Sequence, residues 1–378
     1  MAASASSPAK TMVVKIGSST LVGPDRALRR DFIADLAAQA DELAGLGWRL
    51  VVVSSGAIAC GAPVLGFGSR PADMPSLQAC ASVGQCVLSA AYDEEFRARG
   101  LLTSLVLLTR QDTARRTSYL HARDALGRLV ELGVVPVVNE NDTVTVDEIR
   151  FGDNDTLAAL VSCLVSADLC VTLSDIDGLY TANPVLDPDA RFIPRVDRID
   201  AGIIASAGDS TTSVGTGGMI TKIRASRILM TAGIASVICS GAEPRALVRL
   251  ARGESVGTLF APPAGRLDIA PRKLWIALGD SAHGAVTVDA GAVRAIVEGG
   301  SSLLPVGITA VEGDFDAGAT LDVRDPNGFT VARGLAQAGS DELRLAAGRH
   351  QDEIASNRLL AALAGKPAIH RDELIVFA

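Results

Sequence analysis

Two lysines stand far apart in the chain, and each lies beside glycine and hydroxyl residues. Lys15 lies inside an apolar run that ends at Ile16 and is followed by Gly17 and two serines, while Lys222 closes the glycine-rich segment 215–222. Glycines leave backbone N–H groups accessible and a lysine adds a full charge, a combination that suits phosphate oxygens. The plainer alternatives are a lysine that reaches solvent from a strand end and a glycine-rich surface loop.

Polar residues form two clusters eleven residues apart. Residues 139–142 (Asn-Glu-Asn-Asp) follow an apolar run, and residues 152–155 (Gly-Asp-Asn-Asp) open a helical pattern. Such residues also cap helices and build turns, but capping needs only one of them. Carboxylates and amides together suit a ligand that bears both an ammonium and a carboxylate group. Two lysines at one site repel each other, and Asp155 is our candidate for the acidic group between them.

This set predicts phosphoryl transfer to a carboxylate. A carboxylate acceptor is ionised at neutral pH and needs no general base. The absence of a candidate catalytic histidine is therefore expected, since the four histidines show no triad or metal spacing. Catalysis then depends on positioning and on cations around the transferred phosphoryl group. The expected cations are Lys15, Lys222 and a nucleotide-bound Mg²⁺. We expect no metal site formed by the protein itself. Neither the dinucleotide pattern GxGxxG nor the phosphate-binding pattern GxxxxGK[ST] occurs.

Several other classes are disfavoured by composition. The net charge of −8 argues against a nucleic-acid-binding surface over the whole molecule. The first ten residues lack the apolar core of a signal peptide, and the longest apolar stretch is short for a membrane span and contains Asp168. The sequence therefore predicts a cytoplasmic protein without a membrane segment.

The elements that must position these residues alternate through the first two thirds of the chain. Apolar strand patterns occupy residues 12–16, 50–54, 104–108, 134–138, 170–174 and 235–239. Helical patterns occupy residues 28–43, 76–99, 118–132, 156–167 and 218–232. Apolar strands separated by helices predict an α/β fold with a mostly parallel sheet sandwiched by helices, and functional loops at the carboxyl ends of its strands.

The pattern changes after about residue 258, where prolines predict a linker. Short strands are expected at residues 273–278, 284–288, 307–312, 320–323 and 329–335, with helices at 289–298 and 351–363. This pattern predicts a small C-terminal β-rich barrel. We place the domains at residues 10–260, 272–350 and a helical or extended tail at 351–378.

The motifs resemble those of the glutamate 5-kinases of the amino acid kinase family, followed by a PUA domain. They are KIGSS, VSSGAIA, VPVVNENDTV, FGDNDTLAAL, SDIDGLY and GTGGMITK in this order, then SVGTLF and VDAGAVRAIVEGGSSLLPVGI. The resemblance implies the amino acid kinase fold and transfer of the ATP γ-phosphoryl group to L-glutamate. The product would be L-glutamyl 5-phosphate, in the first step of proline biosynthesis.

The resemblance also implies roles for individual residues. Lys15 and Gly17 would contact ATP phosphate, and Lys15, Lys222 and Asp155 are the catalytic candidates. Substrate glutamate would be held by Ser55, Gly56, Asp142 and Asn154. The nucleotide would be bound by Ser174, Asp175, Thr216, Gly217, Gly218, Met219, Ile220, Thr221 and Lys222. Related enzymes usually have threonine where this chain has Ser174, and both residues carry a hydroxyl group.

Partners are implied in the same way: glutamate and ATP as substrates, proline as feedback inhibitor, a homo-oligomer, and handover of the product to a glutamyl-phosphate reductase. Two alternatives stay open. The acceptor could be another acidic amino acid or an N-acyl amino acid. A different class is an RNA-binding protein acting through the PUA-like domain, although residues 272–378 carry ten Lys or Arg against fourteen Asp or Glu, which argues against RNA.

Overall fold

The computed structural model describes residues 9–23, 25–109, 116–144, 154–207, 218–263, 273, 276–277 and 282–377. The chain divides into two compact units, Met1–Arg266 and Leu267–Ala378. The predicted linker falls largely at residues 264–272, outside the described residues.

The first unit is built on an eight-stranded sheet with the order β3-β4-β2-β1-β5-β9-β10-β8. Its strands are β1 Lys10–Ile16, β2 Trp48–Ser54, β3 Thr103–Leu108, β4 Val135–Glu140, β5 Leu169–Ser174, β8 Arg195–Val196, β9 Ala235–Ser240 and β10 Thr258–Phe260. Strands β3, β4, β2, β1, β5 and β9 run parallel to one another, and β10 runs antiparallel to β9. A separate hairpin pairs β6 Leu179–Tyr180 with β7 Phe192–Ile193.

Helices follow the strands in sequence. They are α1 Ser18–Leu21, α2 Arg30–Gly45, α3 Ala57–Val64, α4 Met74–Arg97, α5 Arg116–Glu131, α6 Asn154–Leu164, α7 Ala201–Ser206, α8 Met219–Thr231 and α9 Ala246–Ala251. Each of the six predicted strands and five predicted helices of this unit occurs, with ends shifted by a few residues. The predicted fold class, a mostly parallel sheet with helices on both sides, is confirmed.

The central strand β1 shows how the two faces of the sheet differ. Successive side chains of a strand point to opposite faces. Met12, Val14 and Ile16 belong to an apolar core shared with α2 and α4. Lys15 points to the other face, where it contacts the first turn of α6. One buried lysine is therefore held under a helix on the face opposite the main core.

The second unit has a five-stranded sheet with the order β12-β11-β13-β14-β15. Its strands are β11 Gly284–Val288, β12 Ile308–Gly313, β13 Thr320–Arg324, β14 Thr330–Leu335 and β15 Leu374–Val376, and its helices are α10 Ala290–Val297, α11 Ser340–Ala346 and α12 Gln351–Ser356. Residues beyond 350 belong to its core: Ile354, Leu360, Leu363 and Ile369 are fully buried. The proposed boundary at 350/351 stays a prediction.

Two predictions for this unit need correction. The strand predicted at residues 273–278 is wrong, because the described residues of this segment, Lys273, Ile276 and Ala277, are helical. A short apolar run cannot by its periodicity distinguish a strand from a buried helical turn. The single helix predicted at 351–363 is α12 followed by the 3₁₀ segment Arg358–Leu363, where Leu360 leaves the helical region with φ −110°.

Candidate active site

Asp155 joins the two lysines that the sequence singled out. Lys15 Nζ lies 2.8 Å from Asp155 Oδ1, and Lys222 Nζ lies 3.7 Å from Asp155 Oδ2. The Thr221 hydroxyl lies 2.6 Å from the same Oδ2 atom. The three charged side chains are 1–8% exposed. Lys15 comes from β1, Asp155 from the first turn of α6 and Lys222 from the first turn of α8, so three separate segments meet here.

The electrostatics of this centre favour an anion. Burial alone would raise the pKa of Asp155, but the charges of Lys15 and Lys222, with hydrogen bonds from Lys15 and Thr221, outweigh it and lower the pKa. Asp155 is therefore ionised at neutral pH. Two ammonium groups share one carboxylate, so these three groups carry one net positive charge. A buried positive charge of this kind attracts a negatively charged ligand.

The start of α8 adds backbone donors. The N-cap residue is Gly218, which has no side chain to cap the helix, and the first turn Met219–Lys222 contains no acidic residue. The first N–H groups of a helix lack intrahelical partners and carry partial positive charge. Gly218, Met219, Ile220 and Thr221 are half-buried at this end. Thr216 and Gly217, which the sequence also assigned to the nucleotide, lie outside the described residues.

The candidate nucleotide residues lie at neighbouring strand ends. Ile16 pairs with Leu173 in the parallel β1–β5 ladder, and the Gly17 N–H donates to the Leu173 carbonyl at 3.3 Å. The next residue is Ser174, whose hydroxyl donates to Asp175 Oδ1 at 2.9 Å. Ser174 is buried and Asp175 is exposed. The predicted residues Gly17, Ser174 and Asp175 thus share one edge of the sheet.

A second set of contacts surrounds Asn154, the residue before Asp155. Its Nδ2 group donates to the Ser54 carbonyl at 2.8 Å, to Ser55 Oγ at 2.9 Å and to Asn139 Oδ1 at 3.0 Å. Asn139 Nδ2 in turn donates to Gln85 Oε1 at 2.8 Å. These contacts bring together the ends of β2 and β4 and the beginning of α6, directly beside the lysine centre.

Gly56 and Asp142 complete the predicted substrate residues. Gly56 precedes α3 with φ 91°, a left-handed conformation that a residue with a Cβ rarely adopts. Asp142 follows the end of β4 by two residues and is half-buried. Burial raises the pKa of Asp142 to about 6, and the positive charge of Arg70 opposes that rise.

Comparison with known proteins agrees with this geometry. Residues 10–240 match the amino acid kinase family. The chain is 46% identical over 367 residues to glutamate 5-kinase of Geobacter sp. (strain M21), covering 97% of each chain. It is also 46% identical over 372 residues to glutamate 5-kinase of Gloeobacter violaceus (strain ATCC 29082 / PCC 7421), covering 97% of this chain and 99% of the relative. The chain belongs to the glutamate 5-kinases of the amino acid kinase family. The family predicted from the motifs is therefore confirmed.

Other matches concern the domains. Residues 284–356 match the PUA domain, as the C-terminal motif predicted. Among solved structures, UMP kinase from Ureaplasma parvum aligns with 67% of this chain and 99% of its own at 14% identity and a TM-score of 0.46. An isopentenyl phosphate kinase aligns with 66% of this chain and all of its own at 20% identity and a TM-score of 0.46.

Three residues near the site of this kinase were not predicted. Gln85 lies in α4, Arg70 lies between α3 and α4, and Tyr92 contacts Ser54 Oγ through its hydroxyl at 3.1 Å. None stands beside a strand end or a polar motif, the signals that located the other candidates. Only the three-dimensional packing brings them near the site.

Two further points concern the described part of the chain. No group of three or more His, Cys, Asp or Glu side chains there could hold a metal ion. No helix there is long and apolar enough to cross a membrane.

Proposed function

We propose that this protein transfers the terminal phosphoryl group of ATP to the side-chain carboxylate of L-glutamate, forming L-glutamyl 5-phosphate. One observation carries the proposal: Asp155 holds the ammonium groups of Lys15 and Lys222 together in a buried centre. Phosphoryl transfer needs this kind of preorganised charge more than it needs covalent chemistry. The similarity to the glutamate 5-kinases supports the choice of acceptor.

The transfer forms one bond to the γ-phosphorus and breaks another. An oxygen of the ionised glutamate side chain forms a bond to the γ-phosphorus, the bond from that phosphorus to the β–γ bridging oxygen breaks, and ADP leaves with the electron pair. The acceptor has no proton to lose, so no general base is required. Lys15 and Lys222 stabilise the negative charge that spreads over the transferred group and the leaving oxygen. Asp155 holds the two lysines at a fixed separation and does not touch the substrate.

The nucleotide is assigned to the edge beside this centre. Gly17, Ser174 and Asp175 at the ends of β1 and β5, with residues 216–222 at the beginning of α8, surround its phosphates and the adjoining sugar and base. Backbone N–H groups at the start of a helix are suited to phosphate oxygens. The short distance from Gly17 to Leu173 supports a common binding edge.

The acceptor is assigned to the amide contacts around Asn154, with Ser55, Gly56 and Asp142. Both hydrogens of Asn154 Nδ2 face protein acceptors, so its Oδ1 atom is the part that remains for a ligand. An amide oxygen and the carboxylate of Asp142 accept hydrogen bonds and suit the α-ammonium group of a free amino acid. This chemistry favours glutamate over N-acyl amino acids, whose nitrogen is uncharged.

Magnesium is expected as part of the nucleotide substrate. Mg²⁺ commonly bridges substrate phosphates and keeps several waters. Asp155 is a poor candidate ligand, because its two oxygens already lie close to Lys15 and Thr221. Magnesium on the phosphates would neutralise charge during the transfer.

The remaining expectations follow from the family resemblance. They are inhibition by proline, assembly into a homo-oligomer, a cytoplasmic location, and handover of the labile acyl phosphate to a reductase. The domain limits 10–260, 272–350 and 351–378 are kept as part of this proposal.

A trapping assay tests the proposal. Purified protein is incubated with MgATP and hydroxylamine, which converts an acyl phosphate into a stable hydroxamate, and with glutamate, aspartate or N-acetylglutamate as acceptor. We expect ADP and hydroxamate in equal amounts with glutamate and far less with the other two. Hydroxamate formed best from N-acetylglutamate, or ADP release without any hydroxamate, would contradict the assignment.

A further inference from the structure

Gln85 occupies an unusual position behind the proposed substrate residues. It lies in α4, is 7% exposed, and accepts a hydrogen bond from Asn139 Nδ2 at 2.8 Å through its Oε1 atom. Its Nε2 atom is buried and has no hydrogen-bond partner among the described residues. A buried donor without a partner is unfavourable. Among the described residues, Gln85 therefore forms its side-chain hydrogen bond through the accepting oxygen Oε1 and not through Nε2.

The main chain fixes the direction of the amide contacts. The Glu140 N–H can only donate, and it donates to Asn139 Oδ1 at 2.9 Å. Asn139 Nδ2 must consequently face Gln85, which must present an oxygen. At the other end the Ser54 carbonyl can only accept, so Asn154 turns its Nδ2 toward the protein and its Oδ1 away. Gln85, Asn139 and Asn154 form a chain with one polarity.

The helix that carries Gln85 is held closely against α3. A Cβ atom on Gly84 would collide with the Ala57 carbonyl, and one on Gly61 would collide with the Cys80 carbonyl. Close approach of two helix backbones requires glycine at such crossing points. Because α3 begins directly after Ser55 and Gly56, this contact sets the position of Gln85 relative to the proposed substrate residues.

We propose that Gln85 is a positioning residue for glutamate binding. It acts through Asn139 to hold Asn154 with its Oδ1 atom directed at the substrate ammonium group, and it does not itself touch the substrate. The inference rests on the proposed function, since it assigns a role within the glutamate site.

The first test compares two substitutions at Gln85. Gln85→Met keeps the length of the side chain but leaves Asn139 Nδ2 buried without an acceptor, and we expect it to raise the KM for glutamate roughly tenfold, the scale of one buried hydrogen bond. The KM for ATP and kcat should stay within about twofold, since the lysine centre is untouched. Gln85→Glu retains an accepting oxygen in either protonation state and should restore most of the affinity.

Gln39 supplies a matched control. It is equally buried at 8% exposure, lies in α2, and makes two hydrogen bonds: it accepts from the Leu247 N–H and donates to Asp35. Gln39→Met makes the same chemical change away from the site. It should leave the KM for glutamate unchanged even if it lowers the unfolding temperature, whereas a purely structural role for Gln85 would make the two variants alike.

A double-mutant cycle with Asn154→Ala decides whether Gln85 acts through Asn154. If it does, Gln85→Met will not raise the glutamate KM further in the Asn154→Ala background. Effects that multiply, or a wild-type KM in Gln85→Met, would overturn the inference. If Gln85→Met and Gln85→Ala both fail to fold, Gln85 is a structural core residue and the inference is also overturned. Failure of the wild-type protein to form hydroxamate would instead contradict the proposed function.

Discussion

The ammonium group of Lys15 lies 2.8 Å from Asp155 Oδ1, and both side chains are more than nine-tenths buried. Burying two charges is costly, and a buried ion pair is weak evidence for stability by itself. This pair also has a third member, Lys222, which approaches the other carboxylate oxygen. The arrangement is better explained by placement of two cations for a reaction than by stabilisation of the fold.

Replacement of Asp155 tests its role as organiser. Asp155→Asn removes the negative charge and leaves two buried ammonium groups facing each other. We expect a loss of about 3–5 kcal/mol in the free energy of unfolding, the scale for breaking a buried pair, together with a large fall in kcat. Urea denaturation and the hydroxamate assay measure the two effects. Thr221→Val, which removes only the hydroxyl beside Oδ2, should cost about 1 kcal/mol; equal losses in the two variants would contradict the organiser role.

Lys222 is expected to act in the transition state. Lys222→Ala should lower kcat by roughly 10²–10³, the scale for removing one transition-state stabiliser, with little change in the KM for glutamate. Steady-state kinetics with each substrate varied separately measure both parameters. A kcat close to that of the wild-type protein would refute the catalytic assignment.

The raised pKa of Asp142 predicts that glutamate binding depends on pH. Its pKa of about 6 lies above the ordinary value of 3.8 because burial disfavours the charged form. As pH falls through 6 the carboxylate is protonated and can no longer pair with an ammonium group, so glutamate should bind more weakly. Calorimetric titration of glutamate without ATP, between pH 5 and 8, avoids titration of the nucleotide.

The raised pKa of Asp142 affects folding stability in the opposite direction to glutamate binding: lower pH weakens binding but stabilises the fold. The folded state holds the proton more tightly than the unfolded state, so ionised Asp142 destabilises the fold above pH 6, and this cost is removed as the pH falls toward 3.8. Asp142→Asn should therefore bind glutamate weakly at all pH values without the break near 6, and should unfold at the same or a higher temperature at pH 8. A break near pH 6 that persists in this variant would assign it to another group.

The crossing of α3 and α4 makes a prediction about packing. Gly84→Ala places a methyl group against the Ala57 carbonyl and must push the helices apart, so we expect a loss of about 1–3 kcal/mol, as for other overpacked sites. Gly127, inside α5, has open space at the corresponding position. Gly127→Ala should raise stability by about 0.5–1 kcal/mol, because alanine has the higher helix propensity. A destabilised Gly127→Ala variant or an unaffected Gly84→Ala variant would contradict this account.

Much of the site was predictable because its residues stand at strand ends or at the beginnings of helices. Lys15 was recognisable as a charge in an apolar strand, and Asn154 and Asp155 as part of a polar cluster at the start of a helix. Parallel strands bring such residues to one edge whatever their separation in sequence. The convergence of Lys15 and Lys222 was expected because both suit phosphate oxygens, and Asp155 was expected between them because like charges repel.

Other features depend on contacts that no local pattern records. Gln85 is one of several polar residues in a 24-residue helix, and no local pattern distinguishes it from the others. Its position behind Asn139 depends on the close contact between α3 and α4 at Gly61 and Gly84. Lys273 and Ile276 are helical although a strand was predicted there. The apolar run that contains them is too short for its hydrophobic periodicity to distinguish a helix from a strand. Strand β15 is three residues long and is defined by its pairing with β14.

The central claim is that Lys15 and Lys222 act on one phosphoryl group, and a double-mutant cycle on the rate of a single turnover tests it most directly. Lys15→Met, Lys222→Met and the double variant are mixed with MgATP and saturating glutamate, and hydroxamate formation is followed in time. Groups that act as a unit are strongly non-additive, so the double variant should be little slower than either single variant. Rates that fall by the product of the two single effects, or single variants as fast as the wild-type protein, would contradict the claim.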